Sequence, residues 1–159
     1  MGPIRIATLR LGALGAMLLL VLAGCSKQER EVVPVACFGE PAELMSALRQ
    51  APGAVALADG TRLSGCVSSA RTDGDLQSLG ISFGRLADAL RGRVESDASA
   101  ALQLGYLAGA VRAGARRAPG GLADQLARRI QQLAELGPGA PPAAQTALAR
   151  GLRAGEARG

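Results

Sequence analysis

A stretch of fourteen residues without a charged side chain, Ala98 to Val111, is the feature that most limits how this chain can fold. Leucines and Tyr106 are distributed around the whole circumference if the stretch is helical. A helix that is apolar on every side belongs in the interior of a protein, and fourteen residues are fewer than the ~20 that span a bilayer. The sequence therefore predicts an all-α fold, a small bundle of about four to five helices with this apolar helix at its centre.

The segments around the central helix also have helical periodicity. From Thr72 or Asp73 to about Ser96, apolar residues recur in steps of three and four, which is typical of a bundle seam. This seam consists of Leu76, Leu79, Phe83, Leu86, Leu90 and Val94. A short helix is predicted from Pro41 to Pro52, and a surface helix from Leu122 to Leu133. Between Ala54 and Ala70, an extended segment, a turn and a short helix are favoured over a hairpin.

Composition shifts divide the chain into four parts. Residues 1–24 have the layout of a signal peptide, residues 25–36 form a short tether, and residues 37–136 form the helical domain. Residues 137–159 are predicted to be a Pro/Gly linker followed by a weakly helical tail, with Leu148 and Leu152 on one side.

Glycines spaced four residues apart occur in both long helices. Gly80 and Gly84 lie in the first, and Gly105 and Gly109 lie in the second. Because glycine weakens a helix by up to ~1 kcal/mol relative to alanine, each pair calls for an explanation. A face of small residues allows two helix backbones to approach closely, either within the chain or across a homodimer.

The amino-terminal segment has three zones. Arg5 and Arg10 precede an apolar run from Leu11 to Leu22, and Ala23, Gly24 and Cys25 follow it. The sequence Leu-Ala-Gly-Cys resembles the lipobox of bacterial lipoproteins. The resemblance implies that Cys25 receives a diacylglyceryl group through a thioether and that cleavage falls between Gly24 and Cys25. It places the mature chain in the cell envelope, anchored on the exported face of a bacterial membrane by acyl chains, and leaves open which membrane that is.

If Cys25 is lipidated, two cysteines remain. Cys37 and Cys66 then form an even pair in an exported compartment, where disulfides form and persist. The alternative is two reduced, buried thiols. A redox-active pair is disfavoured, because the spacing is unlike Cys-x-x-Cys.

The composition excludes several functions. The chain has no histidine and no tryptophan, which removes histidine-dependent catalysis and histidine-ligated metal sites. The charge balance of 18 basic and 13 acidic residues is mild, and with three aromatic residues a nucleic-acid surface is not expected. The one compact acidic cluster, Asp73-Gly74-Asp75, has too few oxygen ligands for calcium and fits a helix N-terminus better. No cofactor, metal or catalytic group is predicted.

One basic cluster remains as a candidate surface. It consists of Arg112, Arg116, Arg117, Arg128 and Arg129. Cations near a helix C-terminus are stabilising in themselves, so a structural role is favoured over binding to anionic lipid.

The most consistent function is a non-catalytic interaction module of the envelope that binds a protein or cell-wall partner. The first alternative is a small ligand-binding or carboxylate-type hydrolase with an interhelical pocket near Tyr106. The second is a binder of anionic lipid or envelope polymer through the arginines.

Overall fold

The computed structural model describes residues 32–118 and 120–159. The signal segment, Cys25 and most of the tether lie outside these residues. A single 3-10 turn, Val35–Phe38, precedes the helices that the described residues form. They are α1 (Pro41–Leu48), α2 (Leu63–Ser69), α3 (Asp73–Arg91), α4 (Ala98–Ala115), α5 (Gly121–Ala134) and α6 (Pro142–Arg158). The all-α bundle is thus confirmed, with six helices described where four to five were expected.

The apolar helix α4 lies at the centre, as predicted from its lack of charge. Every residue from Ala100 to Val111 is buried, and helices α1, α2, α3, α5 and α6 all contact it. Asp97 caps its N-terminus by accepting a hydrogen bond from the amide of Ser99 at 2.8 Å. The phenol of Tyr106 is fully buried and accepts a hydrogen bond from the amide of Val55 at 3.1 Å. This bond fixes the extended segment before α2 to the core.

Helix α3 contributes the predicted seam to this core. Leu79, Phe83, Leu86 and Leu90 are fully buried, and Val94 is buried in the turn that follows the helix. The helix ends at Arg91, where the sequence predicted an end near Ser96. Before α2, the chain forms a turn closed by an isolated bridge between Ala56 and Arg62, which matches the predicted extended segment and turn.

The C-terminal segment differs from the weak tail that the sequence predicted. Residues Pro142–Arg158 form a helix of 17 residues, and α6 makes the most extensive contact of any helix with α4. Its buried face consists of small residues only: Ala144, Ala147, Gly151, Ala154 and Gly155. Because alanine and glycine give a weak amphipathic signal, the sequence pattern underrated this helix.

Glycines on both helices bring the backbones of α4 and α6 together. A Cβ atom added at Gly105 would lie 2.9 Å from the amide nitrogen of Leu152, and one added at Gly109 would lie 2.8 Å from that of Glu156. A Cβ at Gly151 would lie 2.9 Å from the amide nitrogen of Tyr106. All three distances are shorter than real Cβ contacts. The partner residue number rises along both helices, so α4 and α6 run parallel.

Substitution of these glycines by alanine tests the close approach. We expect Gly109→Ala and Gly151→Ala each to lower the free energy of unfolding by about 1–3 kcal/mol, because the added methyl group forces the helices apart. The matched control is Gly84→Ala in α3, where an added Cβ meets no atom within 4 Å. That variant should be neutral or up to ~1 kcal/mol more stable, as alanine favours a helix. Urea unfolding followed by circular dichroism measures all three; equal effects at positions 84 and 109 would contradict the close approach.

Candidate functional site

An open groove between α3 and α5 is the candidate functional site. Its walls are apolar, formed by Leu76 and Ile81 from α3 and by Leu122 and Leu126 from α5, and its volume is about 520 Å³. Ile81 is 50% exposed and Leu122 is 39% exposed, which is high for large apolar side chains. An exposed apolar patch with a polar rim is typical of a surface that binds another molecule.

The polar residues that line the groove, which we call its rim, are all exposed. Gln77 and Gln125 carry no charge, while Asp73 and Arg129 supply one charge of each sign. Gly80 of α3 faces α5. A Cβ atom added at Gly80 would lie 3.6 Å from Cδ1 of Leu126, which is an ordinary van der Waals contact. The groove therefore favours an apolar segment with neutral polar edges over a strongly charged ligand.

A capping box fixes the N-terminal end of α3, next to the groove. The amide of Asp75 donates to the Thr72 hydroxyl at 3.1 Å, and the Asp75 carboxylate accepts from the amide of Thr72 at 3.0 Å and from the amide of Arg71 at 3.1 Å. The Arg71 amide and then the Thr72 side chain are the largest causes that hold the pKa of Asp75 below its usual value. Asp75 therefore has a structural role in the acidic cluster, and the described residues contain no group of three or more side chains suited to a metal ion.

Three of the five candidate arginines hold the C-terminal helix in place. Arg112 forms an ion pair with Glu156 of α6, and Arg116 approaches the same carboxylate at 3.8 Å. Arg117 donates to the hydroxyl of Ser64 at 2.6 Å, and that hydroxyl donates to the carbonyl oxygen of Gly159. These contacts tie the end of α4 to α2 and α6.

The other two arginines lie on α5. Arg128 and Arg129 are both exposed, and Arg129 belongs to the rim of the groove. The five arginines therefore do not act as one surface: part of the cluster fastens α6, and part faces solvent beside the groove.

The glycine pair of α4 lies in an interface between two helices of the chain. Gly105 and Gly109 face α6 of the same chain, which covers the surface that a homodimer would need.

Cys37 and Cys66 form a disulfide with their Cα atoms 5.7 Å apart, as predicted. Gly24 and Cys25, the predicted cleavage and lipidation residues, lie outside the described part of the chain.

Ile81 and Leu122 were not predicted from the sequence to be exposed groups. Ile81 falls outside the predicted seam of α3, and this departure from the three- and four-residue steps was the signal in the sequence that could have identified it. Leu122 belongs to the apolar stripe predicted for α5, but the buried residues of this helix are Ala123, Leu126, Ile130 and Ala134, so Leu122 lies at the edge of the face that packs on the core.

Comparison with known proteins gives no relative. No family model matches the chain, and neither a curated protein nor a solved structure is significantly similar to it. Among the described residues, no helix combines the length and the apolar character needed to cross a membrane.

Acid titration tests the role of Asp75. A carboxylate whose pKa is lowered by folding stabilises the fold above its unfolded pKa, and this contribution is lost as the pH falls through the folded value. We therefore expect the difference in stability between the wild type and Asp75→Asn to be largest near neutral pH and to shrink between about pH 5 and about pH 2. The control is Asp88→Asn in the same helix, which removes a carboxylate and leaves the capping box intact. A pH-independent difference for Asp75→Asn would exclude the capping role of the carboxylate.

Proposed function

We propose that this chain is a lipid-anchored protein of the bacterial envelope that binds an apolar segment of another envelope protein in the groove between α3 and α5. The observation that carries the binding role is the groove itself, with its two exposed apolar side chains, Ile81 and Leu122. The location rests on the lipobox resemblance at Cys25.

The anchor is supported by the chemistry of the sequence Leu22 to Cys25. A thiol is nucleophilic enough to be alkylated, and the small residues before it leave the backbone accessible to a peptidase. Each buried methylene of an acyl chain contributes about 0.8 kcal/mol, so two or three chains hold the protein firmly at a bilayer. Cys37 and Cys66 form a disulfide, so of the three cysteines in the sequence Cys25 is the one outside that pair.

The choice of a protein partner is supported by the character of the groove. Four of its side chains are aliphatic, and the described residues that line it include no aromatic ring of the kind on which sugars stack. One acidic and one basic residue at the rim give no net attraction for an anionic polymer. An amphipathic segment that lays its apolar side between two helices fits these properties best.

The two alternative functions have less support. Tyr106, near which an interhelical pocket was expected, is buried in the core and hydrogen-bonded to Val55. Two of the arginines expected to bind anionic surfaces share the carboxylate of Glu156. The interaction module is therefore the function that we carry forward.

The anchor is tested by Cys25→Ala in the full chain expressed in bacteria. We expect wild-type protein in the membrane fraction, with an intact mass that includes a diacylglyceryl group, because the thioether forms only on the Cys25 thiol. The variant should lack this mass and leave the membrane. Cys37→Ala combined with Cys66→Ala, which removes the disulfide and retains Cys25, is the control for general effects of cysteine loss and should keep the acyl mass. A wild-type chain without acyl groups would disprove the anchor.

The groove is tested by photocrosslinking in living cells. A photoreactive amino acid at position 122 should give a discrete adduct, and the same residue at position 153, on the exposed side of α6, should not. Adding Ile81→Asp on the facing wall should abolish the adduct at position 122, because a carboxylate there opposes an apolar ligand. The matched change on an exposed face away from the groove, Arg153→Asp, should leave it unchanged. An adduct of twice the mass of the chain would indicate a second copy, and an adduct at 122 that survives Ile81→Asp would contradict docking in this groove.

A further inference from the structure

A second exposed apolar surface lies at the start of the described chain. Val32 is 80% exposed, Val35 is 86% exposed and Phe38 is 37% exposed. These three side chains and the two in the groove are the large apolar groups that the described part of the chain leaves open to solvent. We call Val32, Val35 and Phe38 the apolar turn face.

The backbone of the 3-10 turn explains why two of these side chains share one side. A 3-10 helix has three residues per turn, so residues three apart are eclipsed, and Val35 and Phe38 have this spacing. The amide of Cys37 donates to the carbonyl oxygen of Pro34 at 3.0 Å, and the amide of Gly39 donates to that of Ala36 at 3.3 Å. The turn is thus a hydrogen-bonded element with a defined outer side.

The inner side of the same turn is held by the core. Val33 and Cys37 are buried, and the disulfide joins Cys37 to Cys66 in α2. The turn also packs against α3. Because the inner residues are fixed, the apolar turn face cannot rotate inward, and no rearrangement within this turn removes its side chains from water.

We propose that the apolar turn face inserts into the interfacial region of the bilayer that carries the acyl chains of Cys25. This inference rests on the proposed lipid anchor and deepens it, because it assigns a membrane-contacting surface to the folded domain. Val32 follows Cys25 by seven residues, so an extended chain places it at most ~24 Å from the lipidated residue. Such a short tether keeps these side chains at a high effective concentration next to the membrane.

The charges near the turn point to apolar insertion without electrostatic attraction. Lys27 and Arg30 in the tether are balanced by Glu29 and Glu31. Two further acidic residues, Glu40 and Glu43, follow the turn at the start of α1. A contact driven by basic residues requires anionic lipid and weakens in salt, whereas insertion of valine and phenylalanine requires neither condition.

The absence of tryptophan from the chain provides a direct test. Single tryptophans replace Val35 or Phe38 in the full-length acylated protein, which is then reconstituted in phosphatidylcholine vesicles whose acyl chains carry bromine. Bromine quenches tryptophan only at short range. We expect both tryptophans to be blue-shifted and quenched several-fold more strongly than a control tryptophan at Leu122, an apolar residue of similar exposure to Phe38. Added salt should leave this quenching unchanged.

The outcomes separate this inference from the anchor itself. If the acyl mass is present and the tryptophans at positions 35 and 38 are quenched no more than the one at 122, membrane insertion of the apolar turn face is disproved and the anchor stands. If the acyl mass is absent, the lipid anchor and the membrane insertion that rests on it are both disproved. Val35→Ser in the Phe38→Trp background should reduce the quenching, and a quenching signal that disappears in high salt would assign the contact to charges and overturn the proposal.

Discussion

The close contact between the backbones of α4 and α6 is the interaction on which the rest of the fold depends. Helices usually pack 8–10 Å apart at a distance set by their side chains. Here Gly105 and Gly109 face Gly151 and Gly155, and a methyl group at any of the four positions would collide with backbone atoms of the other helix. The fully buried residues of α6 are alanine and glycine, and Leu148 and Leu152 are partly buried against the core, so its attachment combines close backbone packing, these two leucines and the ion pair between Arg112 and Glu156.

This contact explains why α4 can be apolar on every side. Helix α6 covers its glycine face, and α2 covers the next face, where an added Cβ at Gly114 would lie 2.7 Å from Cβ of Val67. Helices α1, α3 and α5 contact the remainder, and α3 and α5 also contact each other. Because α3 and α5 use their inner faces for the core, their outer edges form the groove that includes Ile81 and Leu122. The candidate interaction surface is therefore a by-product of how the central helix is enclosed.

The sequence predicted the parts of the structure that depend on local pattern. The charge-free run identified α4, and the three- and four-residue steps identified α3, whose start was predicted at Thr72 or Asp73. The partner of Gly105 and Gly109 was not found, although Gly151 and Gly155 repeat the same spacing, because a stripe of small residues gives little hydrophobic signal. The roles of Arg112 and Arg117 were also not predictable, since Glu156 and Ser64 lie far from them along the chain and reach them only through the tertiary fold.

Hydrogen exchange of the native protein is the most direct test of this central contact. If α6 is an integral part of the core, the amides of residues 147–155 should exchange as slowly as those of residues 101–111, both through global unfolding, and both should accelerate equally as urea is added. Rapid exchange of residues 147–155 with continued protection of residues 101–111 would show that α6 opens independently. That result would contradict the dependence of the fold on the contact between α4 and α6.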